Sequence, residues 1–307
     1  MFRNVAELVA LAEERSCKLA HIMIEQEMEV KRMTREAVVA QMERNLDVME
    51  QAVARGLSGV KSHSGLTGGD AVKVQQYVAS GKALSGRTLL DAVGKAIATN
   101  EVNAAMGLIC ATPTAGAAGV VPGTLFALKE KLNPTREQMV EFLFTAGAFG
   151  LVVANNASIS GAAGGCQAEV GSAAGMAAAA ITELAGGTPQ QAANAMAIAL
   201  KNMLGLVCDP VAGLVEVPCV KRNALGASNA MVAADMALAG VESLIPCDEV
   251  IEAMFHVGQS MPMTMKETAL GGLAATPTGI RLKKEIFGEN SGSGAADSAQ
   301  PELCQMP

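Results

Sequence analysis

The chain has 307 residues, 50% of them hydrophobic, with 32 glycines but only 7 Phe, 1 Tyr and no Trp; that is ample for a core, in which helices must meet through small side chains. The formal net charge is −7 with no Lys/Arg block, so the electrostatic footprint of a nucleic-acid binder is missing. Glu7, Glu13 and Glu14 stand where a signal peptide is basic, and no apolar stretch reads as a span, so the expectation is a cytoplasmic protein with no nucleic-acid or membrane partner.

The apolar periodicity is helical nearly everywhere, and no alternating β-branched run is long enough for a sheet. It predicts helices near 4–31, 35–55, 70–80, 87–105, 121–131, 136–155, 166–185, 189–204, 222–240, 248–258 and 263–270. In the second of these, Val38, Met42, Leu46, Met49 and Val53 recur every three or four residues behind Thr34, and Gly56 reads as the stop. Thr135 with Gln138, and Thr188 with Pro189 and Gln191, are capping boxes that open helices at about 136 and 189. Phe142 to Ala154 and Ala173 to Ile181 are apolar enough to be buried core helices. The expected fold is therefore all-α, a compact single-domain helical assembly over 1–288, with a small, polar, aperiodic stretch at 289–307 read as a flexible tail.

Chemistry concentrates where this chain changes element. Cys166, Cys208 and Cys219 each sit in a Gly/Ala/Pro-rich segment, three soft thiolates without an equally placed fourth ligand, which suits an iron–sulfur cluster with one iron left open. Their spacing matches no short ligand motif such as Cys-x-x-Cys. Seven cysteines at irregular intervals fit a reducing compartment better than a disulfide framework, and Cys17, Cys110 and Cys247 read as small buried hydrophobes. Ser160, Gly161, Gly164 and Gly165 precede Cys166 at a predicted helix start, and Thr114, Gly116 and Gly119 form a second glycine loop. Bare amides in both loops are expected to take a substrate carboxylate. Lys221 and Arg222 read either as counter-charges to an anionic cluster or as surface charges. Glu169, one turn beyond Cys166, reads either as a hydrogen-bond orienter or as a solvated carboxylate.

The segments ATPTAGAAGVVPG (Ala111 to Gly123), SISGAAGGCQAEVGSAAG (Ser158 to Gly175) and CDPVAGLVEVPC (Cys208 to Cys219), in that order, resemble the alpha subunit of the iron–sulfur-dependent L-serine dehydratases. The resemblance runs from about Gly56 to about Gly288. It implies an oxygen-sensitive 4Fe-4S lyase that converts L-serine to pyruvate and ammonia without pyridoxal phosphate, with Cys166, Cys208 and Cys219 as the cluster thiolates. Such an elimination needs a Lewis acid at the β-hydroxyl and a base for the α-proton. Of the three histidines, at 21, 63 and 256, His63 in the turn KSHSGLTGGD (Lys61 to Asp70) is the best internal candidate.

Single-chain members of that family carry an extra N-terminal portion with a Ser-Ser-His-Thr motif, which this sequence does not contain. The resemblance therefore implies a separate beta subunit that can bring the base. Some single-chain members end in a cysteine that caps the open iron. Cys304 in the tail is read either as such a cap or as an incidental thiol. Three further readings stay open: an L-cysteine desulfidase using the same cluster, a non-catalytic iron–sulfur sensor, and a pyridoxal-phosphate enzyme.

Overall fold

The computed structural model describes residues 1–288; the tail and Cys304 lie outside the described residues. Among the described residues there are thirteen α-helices and no strand, so the all-α expectation holds. They are α1 Val5–Glu14, α2 Leu19–Lys31, α3 Arg35–Leu57, α4 Asp70–Ala79, α5 Arg87–Ala104, α6 Val120–Leu132, α7 Arg136–Asn156, α8 Gly161–Gly164, α9 Ser172–Leu184, α10 Pro189–Lys201, α11 Cys219–Leu238, α12 Cys247–Ser260 and α13 Pro277–Phe287. Both capping boxes form: Thr135 and Thr188 accept from the N–H groups of Gln138 and Gln191, whose side chains reach back to the cap N–H.

Four elements depart from the sequence reading. The first expected helix is two, because Ser16 turns to a φ of 50° and α2 is restarted by a distant group, the Glu183 carboxylate accepting the Leu19 N–H at 2.6 Å. Gly56 is not a stop. The helix runs on to Leu57, and the glycine is needed because a Cβ there would stand 2.2 Å from the Ala98 carbonyl oxygen of α5. The stretch expected as a helix at 263–270 makes one 3₁₀ turn, Met263–Met265, then lies beside Cys208 in an isolated parallel bridge. Finally, α13 went unread, although Thr276 caps it, Pro277 opens it and Gly288 closes it.

The core is built on α9, whose Ala173, Ala174, Ala177, Ala178, Ala179 and Ala180 are all fully buried. Such small side chains let α7, α10 and α11 approach α9 closely, as the sparse aromatics require. Of the described helices, α7 alone is long and apolar enough to cross a membrane, and 67% of its apolar window is buried in the protein. The seam between α3 and α5 gives a direct test. Gly56→Ala forces its Cβ into the Ala98 backbone, and we expect a loss of about 1–3 kcal/mol, the usual cost of overpacking, read as a lower urea midpoint at unchanged slope.

Candidate metal centre

Cys166 is presented by an unusual stretch of backbone. The four-residue α8 ends at Gly165, whose φ of 76° and proximity to Met261, with the thioether sulfur 2.6 Å from where a Cβ would be, admit only glycine. After Cys166 the chain makes a π-helical turn, Gln167–Gly171, before α9 begins. Gln167 fastens this turn to the next cysteine segment: its N–H donates to the Leu206 carbonyl and its side-chain oxygen accepts from the Gly205 N–H, both at 2.9 Å. Cys208 is fixed in turn between its N–H donating to Met265 O and its carbonyl accepting from the Glu267 N–H, each at 2.8 Å. Cys219 is the first residue of α11, and all three cysteines are buried and free.

The Sγ atoms of Cys166 and Cys208 and a carboxylate oxygen of Glu169 lie within 4.8 Å of one another, a grouping that can hold a metal. Arg222, one turn into α11, closes the site from the Cys219 side. Its Nη1 is 3.4 Å from Cys166 Sγ, 2.8 Å from Val207 O and 2.8 Å from Asp209 Oδ1. That last contact is an ion pair rather than a directed hydrogen bond, and both side chains are nearly buried, 13% and 4% exposed. The other Asp209 oxygen accepts the Leu273 N–H at 2.7 Å.

These neighbours set the charge state of the thiols. The nearby Cys208 sulfur, with the Arg222 charge, draws the Cys166 thiol below its ordinary range against the cost of burial. Cys208 is pushed up in turn by its Cys166 neighbour, and burial adds to this. Burial likewise pushes the Cys219 thiol up. Cys208 and Cys219 are thus held as thiols that a metal must deprotonate, and metal loading here releases protons. Glu169 is also pushed up by burial, which outweighs the hydrogen bond it accepts from Thr114.

The glycine loops divide into residues that face this site and residues that pack helices. A Cβ on Gly161 would stand 2.7 Å from Cys208 Sγ, and one on Gly116 would stand 2.4 Å from the Glu169 carboxylate, so both border the site, as does Thr114. Gly119 does not: its N–H is taken by Asn223 at 2.9 Å, and a Cβ would meet Ala96 O at 2.2 Å. Gly164 likewise lies against Gly258 of α12, and the Ser160 hydroxyl is spent capping α8 through the Ala163 N–H. Lys221 and Arg222, adjacent in sequence, part company, for Lys221 pairs with Asp70 away from the thiols. His63 is exposed on its turn, which is anchored to the loop between Cys208 and Cys219 by Ser64 donating to Glu216 at 2.7 Å.

Three residues of the site escaped sequence reasoning: Asp209, Asn223 and Glu267. Asn223 ties Cys219 to the glycine loop, donating to Cys219 O at 3.0 Å and Gly116 O at 2.7 Å. Its place one turn after a cysteine at a helix start was the available signal.

Residues 14–274 match the family model described as serine dehydratase alpha chain. The chain is 72% identical over 299 residues, 97% of its own length and 100% of the relative, to the probable L-serine dehydratase alpha chain of Bacillus subtilis (strain 168). It is 43% identical over 291 residues, 94% of itself and 99% of the relative, to the L-serine dehydratase alpha chain of Peptoniphilus asaccharolyticus. With L-serine dehydratase TdcG of Escherichia coli (strain K12) it shares 36% identity over 280 residues, which is 89% of this chain but 61% of that longer one.

Proposed function

The chain belongs to the serine dehydratase alpha-chain family, and from that premise we propose that it is the alpha subunit of an L-serine ammonia-lyase releasing pyruvate and ammonia. The observation that carries this reading is the meeting of Cys166 and Cys208, bordered by Thr114, Gly116 and Gly161, with Cys219 tied to the same glycine loop through Asn223. The donor set fits an iron–sulfur cluster: three buried free thiols, one of them 3.4 Å from a guanidinium. We assign Cys166, Cys208 and Cys219 as the ligands of a 4Fe-4S cluster. When bound, that group supplies a Lewis acid at an open iron for the β-hydroxyl of serine.

The chain's own residues do the rest. Arg222 sets a positive charge against the Cys166 sulfur and Asp209 holds Arg222 in place. Thr114, Gly116 and Gly161 offer a hydroxyl and unhindered backbone where the substrate's carboxylate end is oriented. Residues 1–288 form the catalytic domain in this reading. The α-proton leaves to a base on a separate beta subunit. The alpha-chain names of the relatives support such a partner. Six free cysteines among the described residues support placement in the reducing cytoplasm.

Anaerobic purification with the beta subunit, followed by iron and sulfide analysis beside pyruvate release from L-serine, tests the reading; an iron-free active complex would reject it. His63→Ala in the same complex locates the base. We expect an unchanged rate. A fall of about 100-fold or more, the usual size of a lost general base, would assign the proton to His63 instead.

A further inference from the structure

Glu267 lies outside every segment that the sequence singled out, yet it borders the cysteine site. The parallel bridge to Cys208 fixes its backbone, with its N–H donating to the Cys208 carbonyl at 2.8 Å. Its φ is 63°, a left-handed conformation that a glutamate holds only when its surroundings impose it. From there its carboxylate comes within 3.2 Å of the point where a Cβ on Gly161 would stand, the same point that Cys208 Sγ approaches to 2.7 Å.

No described side chain or backbone N–H gives this carboxylate a hydrogen bond or an ion pair, and the residue is exposed on its outer side. Arg222, the cation at the thiols, is committed to Asp209, Cys166 and Val207, and Lys266, next in the chain, makes no ion pair with Glu267. Glu169, the other carboxylate at the site, is buried and engaged by Thr114. The charge of Glu267 nevertheless bears on the whole pocket, helping to raise the Cys208 and Cys219 thiols and the Glu169 carboxyl. A substrate that reaches these thiols meets an exposed anion with no partner among the described residues.

An amino acid carries an ammonium on its α-carbon that needs such an acceptor. Resting on the serine reading above, we propose that Glu267 binds the α-ammonium of the substrate and selects amino acids over the corresponding hydroxy acids.

The test uses the loaded two-chain complex and two probes, L-serine as substrate and L-glycerate, which has a hydroxyl in place of the ammonium, as competitor. Glu267→Gln keeps the shape and removes the charge. Its iron content should equal wild type while KM for L-serine rises about 10- to 100-fold, the range for a lost hydrogen bond to a charged group. The inhibition constant of L-glycerate should stay within about twofold. Equal changes in both constants, or neither changing, overturns the inference. Should the glutamine variant lose iron, Glu267→Asp keeps the charge and tolerates the left-handed backbone. It should then hold wild-type iron and keep serine favoured over glycerate, and a loss of that preference overturns the proposal. A wild-type complex that releases no pyruvate from L-serine rejects the serine reading itself, whereas the glutamine result rejects the role of Glu267 alone.

Discussion

Cys166→Ala, Cys208→Ala and Cys219→Ala should each lose bound iron and sulfide together with the cluster's visible absorbance, and serine turnover should fall by more than about 100-fold, beyond the 10–100-fold cost of losing an outer-sphere partner. The reason is cooperative. A cluster left with two protein thiolates has no third anchor. Cys17→Ala and Cys247→Ala should keep iron and activity, since neither thiol is among the three assigned ligands. Cys247 is buried at the start of α12, so its alanine variant measures what losing a packed sulfur costs without losing a ligand. Full iron in Cys208→Ala would remove that residue from the ligand set.

The second large effect concerns stability. Arg222→Met leaves Asp209, 4% exposed, without its cation, and also strips Cys166 of the charge that draws its thiol down. Breaking a buried pair from one side costs about 3–5 kcal/mol, and that is the expected loss on urea unfolding of the metal-free chain. Adding Asp209→Asn to that variant should recover much of it, because the orphaned charge is gone while an oxygen remains for the Leu273 N–H. If the double variant is as unstable as the single, the penalty comes from lost packing of the arginine stem and not from the bare carboxylate.

What the sequence discloses here is what neighbours in the chain decide. Thr135 with Gln138 and Thr188 with Gln191 act within one turn, so their helices are readable to a residue. The cysteine segments are readable because glycine and proline crowd around them. Hidden from such reading is whatever a distant element supplies. Nothing near Cys17 says that α2 is started by Glu183, and nothing near Asp70 says that Glu101 accepts its N–H at 2.8 Å. Glu267 falls in a stretch with helical spacing, and only its pairing with Cys208 turns it toward the thiols. The glycines fail for a related reason. Gly119 and Gly161 are alike on paper, one pressed to Ala96 and the other to Cys208, and the difference lies in the element opposite.

Remote capping reaches its extreme at the first helix. The Val5 and Ala6 N–H groups at the start of α1 are received by the Asp248 carboxylate, at 2.8 and 3.0 Å. During synthesis α1 therefore emerges with only its local Asn4 cap, and two of its first N–H groups must wait until more than four-fifths of the chain has been made. Glu267, which braces Cys208, follows Asp248 out of the ribosome. Closing the first helix and bracing the second thiol thus belong to the same late stretch of translation, so a chain stalled before it carries the cysteines without the frame that seats a metal.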